Sequence, residues 1–397
     1  MSDKKKQGFH AVEANVEEME EKIRRHRKRI AIVAATVSIS VVVLIAAAGI
    51  YFEWKEYQDY TVYSEVERNG SASAKYESFA GRIVRYNNDG AFYVDASDNQ
   101  IWNQAYEMLN PTIDICENYA AIADLQGNQI YIMNTVSRQG EIKTGKPIEA
   151  VSVANQGTVA VLTQADGTSY LELYNKSGES LASGEIHVSN SGYPLGITLS
   201  NDANKLAVSI LDISEGKAKT TITFYNFGAA GRNEIDNMVG SYSYEDVIIP
   251  EISFVSNNQM VAFGDSCIIL FEGKQSPKET KKVKVKEEIK SVFYEEDFFG
   301  LVFGAADSDS GNRLEIYDME GDLRLEKEFK MDYQDIEFLG NHEICIRNEH
   351  ECEIYTLRGV KRFEYKFDHM LHKIFSGGIG RQYTFILDDA MQKVKLK

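Results

Sequence analysis

The chain has 397 residues, of which 43% are hydrophobic and 26% charged, with 29 Gly, 22 Tyr and only 5 Pro. That balance belongs to a folded chain rather than a disordered one, and the aromatic strand formers with plentiful Gly turns point to an all-β protein. The net charge of −17 excludes nucleic acid as the partner of the main domain, because an acidic surface repels phosphates.

Residues 1–29 hold nine Lys/Arg and six Asp/Glu, a net +3, so the remainder carries −20. This stretch is expected to be a helical cytoplasmic tail. Val12, Val16, Met19, Ile23, His26 and Ile30 follow a heptad seam. Glu18–Lys22, Glu20–Arg24 and Glu21–Arg25 stand at the favourable i,i+4 spacing. Two readings stay open: a solvated helical stub, or a helix that pairs with itself or with a partner.

Residues 30–52 read IAIVAATVSISVVVLIAAAGIYF, an uncharged run long enough to cross a bilayer as a helix. IRRHRKR precedes it and the acidic EWKEYQDY follows, so the positive-inside rule places the N-terminus in the cytoplasm and the C-terminal domain outside, in a cell envelope. Arg27, Lys28 and Arg29 are expected at the inner interface, Trp54 and Tyr57 at the outer one. The alternative is a cleaved signal peptide. The long n-region and long apolar run favour an uncleaved signal anchor. Residues 53–74 read as a spacer, ending in the small polar run Asn69 to Ser73.

From residue 75 to 397 one unit returns. Leu171 to Leu181 (LELYNKSGESL) is echoed by Leu314 to Leu323 (LEIYDMEGDL) and from Cys352 (CEIYTLRGV). Each copy alternates apolar and polar residues, the pattern of a half-buried strand, and each ends in a Gly turn, the mark of a hairpin. The aromatic anchors of successive units are taken as Trp102, Tyr131, Tyr174, Tyr225, Phe271, Tyr317 and Tyr355, with Val394 in the last. Four short strands per ~40–45 residues is the spacing of propeller blades. Eight blades are favoured and seven stay open, with a pair of β-sandwiches as the fallback. The last unit lacks an outer strand, and Tyr60 to Glu67 (YTVYSEVE) is a candidate to supply it and close the ring.

Lys274 to Lys290 carries seven Lys, with Lys282, Lys284 and Lys286 alternating with Val283 and Val285. It reads as an outermost strand guarded by Lys against edge pairing. The functional alternative is a strip, including Lys281, Lys282, Lys284 and Lys286, that touches an anionic polymer or lipid headgroups.

Little catalytic chemistry is legible. HExxH, GxSxG and GxxxxGK[ST] patterns are absent from the sequence, and no cofactor is expected. His369-Met-Leu-His372 is too sparse for zinc, and Asp307 to Asn312 misses the Gly and Glu positions of a calcium loop. Only Trp102 lies in a blade, against the repeated Trp of quinone-cofactor propellers. In a hairpin turning at Asn348-Glu349, Cys345 would face Cys352 within reach of a disulfide. Two small buried apolar side chains are the alternative.

Several stretches carry a resemblance: Trp102 to Tyr106 (WNQAY), Gly192 to Ser200 (GYPLGITLS), Lys205 to Ser209 (KLAVS) and Phe224 to Gly228 (FYNFG). Together they resemble a family of single-pass bacterial membrane proteins with a propeller-like outer domain, known only as a domain of unknown function. The resemblance implies topology and fold and brings no catalytic residues. Phe224 and Phe227 are expected to pack between blades. The function expected is a non-enzymatic scaffold binding an envelope protein or polymer, with contacts at the insertions 213–219 and 228–246. The rivals are a cell-wall enzyme using carboxylates such as Asp388 and Asp389, and a sensor that signals through the tail.

Overall fold

The computed structural model describes residues 16–68, 73–95, 97–213, 216–304, 311–378 and 380–397. Val12, most of the small polar run at 69–73, the centre of the insertion at 213–219 and most of the Asp307–Asn312 turn lie outside the described residues. Two compact units divide between Lys55 and Glu56.

The first unit is one helix, Val16–Trp54, so the tail's heptad pattern and the apolar run are parts of one continuous rod. Among the described residues it is the one helix long and apolar enough to cross a membrane, and its side chains from Glu18 to Ala47 are exposed.

The second unit is an eight-bladed β-propeller of eight four-stranded sheets. In order, the blades span residues 75–105, 111–143, 148–187, 193–245, 251–284, 289–329 and 335–366, each a meander of consecutive antiparallel strands. The eighth takes three strands from 371–396 and its outer strand from the other end of the domain. Tyr60–Glu67 lies antiparallel to Ala390–Leu396, from Tyr60 opposite Leu396 to Glu67 opposite Ala390, and the ring is closed. Lys397 fastens the junction: its N–H donates to the Asp59 carbonyl and its Nζ sits 2.8 Å from the Asp59 carboxylate.

The recurring sequence is the third strand of a blade, its turn and the start of the outer strand. In LELY, LEIY and CEIY the Glu and Tyr share a face because residues two apart point the same way. The Tyr317 hydroxyl donates to Glu315 at 2.6 Å and that of Tyr355 to Glu353 at 2.8 Å. The next side chain nucleates the turn. Asn175 Oδ1 accepts the N–H groups of Ser177 and Glu179, and Asp318 Oδ1 those of Glu320 and Asp322. The Gly must stay Gly: Gly178 has φ 84°, and a Cβ there would lie 2.3 Å from the Glu141 carbonyl oxygen of the preceding blade.

The first anchor is corrected. Trp102 lies on an outer strand, Gln100–Ala105, directly opposite Tyr93, which holds the third-strand position of the first blade. That blade turns through Asp95 with no Gly in the turn, so the Gly that marks the other units is missing and Trp102, the next aromatic residue, resembles the anchor. Tyr57 is corrected too. It is 1% exposed, bridged to Phe363 and packed in the core of the last two blades, not at a membrane interface. Of the insertion at 228–246, Met238–Glu245 is a regular outer strand, which leaves 227–237 as the loop.

Neighbouring blades pack through apolar clusters. Between the fourth and fifth lie Phe224, Tyr244, Phe254 and Phe271, with Phe224 fully buried. Three of the four segments that carry the family resemblance converge: Tyr193–Leu199, Lys205–Asp212 and Lys219–Asn226 are the three inner strands of the fourth blade, whereas Trp102 to Tyr106 begins on the outer strand of the first. Lys205, 1% exposed, donates from Nζ to the Lys274 carbonyl, and Asn226 donates to the Gln275 carbonyl. Both reach the turn before the Lys-rich strand of the fifth blade and fix it.

Candidate functional site

The innermost strands build the inner wall of the ring, and two arcs of it differ in chemistry. Along the second to fifth blades, a small polar side chain near the end of one inner strand accepts an N–H of the next. Asp114 accepts from Val153 at 2.6 Å, Ser152 from Leu199 at 3.0 Å and Thr198 from Phe254 at 3.0 Å. Ser152 also lowers the pKa of Asp114, and Ser253 that of Tyr294 on the sixth blade. The alternation explains the arrangement: the residues after Ser152, Thr198 and Ser253 (Val153, Leu199, Phe254) are buried apolar and the one after Asp114, Ile115, is half-buried against a core cluster, so these polar side chains face away from that core.

This arc opens on a cavity of about 280 Å³ whose lining includes Asp114, Glu117, Asn201, Tyr294, Glu295 and Glu296. Burial raises the Asp114 carboxyl to about 6 against the hydrogen bonds it accepts from Val153, Ile115 and Ser152. Burial pushes Tyr294 up to about 12, reinforced by the charges of Glu251 and Asp114. Burial also raises Glu295, although His342 lies 2.6 Å away and counters the rise. Carboxyls whose pKa values are raised, beside a phenol, can accept hydrogen bonds from a ligand or hold a proton for it.

The other arc is ionic. Lys373 on the eighth blade is 8% exposed and lies 2.8 Å from Glu337 on the seventh and 3.4 Å from Glu77 on the first. Those two carboxylates raise the Lys373 pKa against the effect of burial, so the ammonium stays charged. Arg347 extends the network to Asp335.

The residues singled out in the sequence fall elsewhere. Lys281, Lys282 and Lys284 stand on the outer strand Lys278–Lys284 of the fifth blade, with Lys286 just beyond it, and all four are exposed. Arg27, Lys28, Arg29 and Trp54 are exposed on the helix. Asp388 and Asp389 form an exposed turn against His369, at 3.6 and 3.3 Å, on a surface of the eighth blade rather than in the cavity.

The register proposed for Cys345 and Cys352 is corrected. Arg347 pairs with Cys352 and Cys345 with Ile354. Asn348 shifts the turn by one residue: its N–H donates to the Glu351 carbonyl and its Oδ1 accepts from His350. Both thiols are free, fully buried and in one apolar cluster. Titration of the unfolded, unreduced protein is expected to find four free thiols; fewer would show a bridge.

Sequence reasoning missed Asp114, Tyr294, Glu337 and Lys373. A signal existed for the first: aligned at their first turns, the units read Asp-Ile, Ser-Val, Thr-Leu and Ser-Phe at 114, 152, 198 and 253.

Helix and ring define the class: an eight-bladed propeller preceded by one N-terminal apolar helix. The chain belongs to a family of unknown function (DUF5711), whose model matches residues 53–396. No curated protein matches it. Among solved structures, BamB from Moraxella catarrhalis is similar, with a TM-score of 0.50 and 13% identity over 85% of this chain and 100% of that one. The C-terminal WD40 domain of Sif2 has a TM-score of 0.57 and 11% identity, covering 86% of this chain and 100% of that one. At such identities the likeness establishes the fold.

Proposed function

We propose that the helix anchors the protein in a membrane with its N-terminus in the cytoplasm, and that the propeller acts outside as an interaction scaffold of the cell envelope. The observation that carries this reading is the surface of the fourth blade. Tyr193, Ile213 and, on the connector that follows, Ile248 are exposed at the end of the blade where Asp212 pairs with Lys219; Ile235, 86% exposed, and Met238 are exposed at the other end, beyond Asn226. Exposed apolar side chains on the loops of a rigid scaffold are the usual anchors of protein contacts, and here each end of the blade offers its own group. Crosslinking in cells with mass spectrometry, using the full-length protein beside a control lacking the propeller, tests it. One recurring partner, lost from the control and weakened by Ile213→Asp with Ile235→Asp, is expected. Crosslinks unaltered by both changes would refute it.

The tail suits a solvated helix or a different partner better than a second copy. In a parallel pair on the seam Met19–Ile23–His26–Ile30, Lys22 of one helix would face Arg27 of the other.

The cavity supports a second reading, acid–base chemistry on a wall sugar or peptide, because Asp114 and Glu295 both line it with raised pKa values. Release of reducing ends or amines from purified wall material, abolished in Asp114→Asn and Glu295→Gln, would favour it over the scaffold.

A further inference from the structure

The Lys-rich outer strand of the fifth blade exceeds what edge protection requires. An exposed edge strand is guarded by a charge or two. Three other outer strands, Gln100–Ala105, Met238–Glu245 and Ser180–His187, have no Lys or Arg. Where others are charged, their cations are matched by acids: Arg138 and Lys143 by Glu141, Arg324 by Asp318, Lys361 by Glu353 and Glu364, Arg362 by Glu343 and Lys366 by Glu351. Residues 274–290 hold seven Lys against three Glu, in a domain that is otherwise strongly acidic.

The strand is also held rigidly. Its turn is fixed by Lys205 and Asn226, as described, and by Ser276, whose hydroxyl donates to the Val239 carbonyl. Val283 is half-buried in the cluster facing the sixth blade, together with Val285. With that face packed, Lys282, Lys284 and Lys286 line the opposite one. At a strand's rise of about 3.3 Å per residue, the Cα atoms of Lys282 and Lys284 stand about 6.6 Å apart, and Lys286 continues the row just past the strand's end. Lys282 stacks over the Tyr244 ring at 5.0 Å, which orients it and leaves the residue exposed. Lys281 points the other way, 4.0 Å from Asp322. Glu279 bonds the Tyr244 hydroxyl at 2.6 Å, so the acid on the strand is engaged. A fixed row of cations at an even spacing suits a linear chain of anions better than one compact anion.

From this we infer that the fifth blade binds a linear anionic polymer along Lys282, Lys284 and Lys286. The inference rests on reading the domain as an envelope interaction module and names one class of partner.

The test uses the full-length chain in zwitterionic nanodiscs, with linear polyphosphate and poly-L-glutamate as probes. Three contacts, each weighted about 0.7 in the salt slope of a single chain, give roughly a twentyfold loss of affinity between about 50 and about 200 mM salt. Lys282→Glu/Lys284→Glu/Lys286→Glu keeps the edge charged, so aggregation should not change, but binding and the salt dependence should vanish. A charge-matched control, Lys143→Glu/Lys176→Glu/Lys366→Glu on the second, third and seventh blades, should retain binding. The Lys→Gln triple at the strip should bind weakly with an unchanged melting temperature, separating loss of charge from loss of fold. Equal loss in the control would overturn the proposal by showing a bulk charge effect. So would no binding to either probe, or strip-dependent capture of phosphatidylglycerol vesicles in place of the polymers. These outcomes are independent of the crosslinking result, which reads protein partners.

Discussion

The two arcs of the inner wall solve one problem with different chemistry. Around the second to fifth blades, adjacent inner strands are joined by single acceptors on backbone N–H groups, one carboxyl and two hydroxyls: Asp114 to Val153, Ser152 to Leu199, Thr198 to Phe254. Around the seventh, eighth and first blades they are joined by one buried ammonium between two carboxylates, Glu337–Lys373–Glu77. The staples form between consecutive blades and need only one correct side chain each. The ionic arc spans the closure, where residues far apart in the chain must meet. The difference teaches that a ring of similar blades need not have a uniform centre. The stapled arc keeps a polar cavity at its end, whereas the ionic arc fills its space with paired charges.

The largest expected effect breaks the ionic arc. Lys373→Met leaves Glu337 and Glu77 without their cation and should cost about 3–5 kcal/mol, the usual cost of removing one partner of a buried pair. Chemical unfolding of the full-length protein measures it. Adding Glu77→Gln and Glu337→Gln should restore most of the loss, because the penalty comes from uncompensated charge. A cost below about 1 kcal/mol would mean that water already screens this arc, and the contrast between the arcs would collapse.

Thr198→Val sharpens the other side. The shape is nearly kept, the acceptor is lost and the Phe254 N–H stays buried without a partner. The expected cost is about 1–3 kcal/mol, less than at Lys373 because no charge is stranded. Raised salt should leave this difference unchanged, since both groups are neutral.

The contrast also marks what the sequence could reveal. The closed ring was legible because its signals are local: the Glu-x-Tyr strand, the Asn or Asp turn, the Gly at positive φ, and a strand pattern at Tyr60 to Glu67 left over before the first unit. Trp102 misled because the first blade turns through Asp95 and offers a second aromatic opposite Tyr93. Tyr57 misled because an aromatic residue shortly after an apolar run suits a membrane interface and a domain core equally well. The hairpin register at Cys345 and Cys352 depended on which of two adjacent residues opens the turn, which Asn348 decides. The ionic arc was out of reach: Lys373 and Glu77 stand 296 residues apart and meet only because the ring closes.

The smallest effect concerns Asp114, where the stapled arc comes nearest to carrying a charge. Its folded pKa of about 6 lies above the ~3.9 of an unfolded Asp. Between those values the folded protein binds more protons than the unfolded one, so this residue's contribution to stability falls as pH rises from about 4 to about 6. A carboxylate held by strong ion pairing would show the opposite slope. Asp114→Asn keeps an oxygen for the Val153 N–H and removes the titration. Relative to the wild type, the variant should therefore gain stability across that window and level off above it. The cavity admits water to this half-buried side chain, so the effect should be discounted to roughly 1 kcal/mol. Taking the difference between variant and wild type at each pH cancels the other carboxyls. A flat difference would show Asp114 ionised and solvated like a surface carboxylate, leaving only the two hydroxyl staples and no proton-exchanging group in this arc.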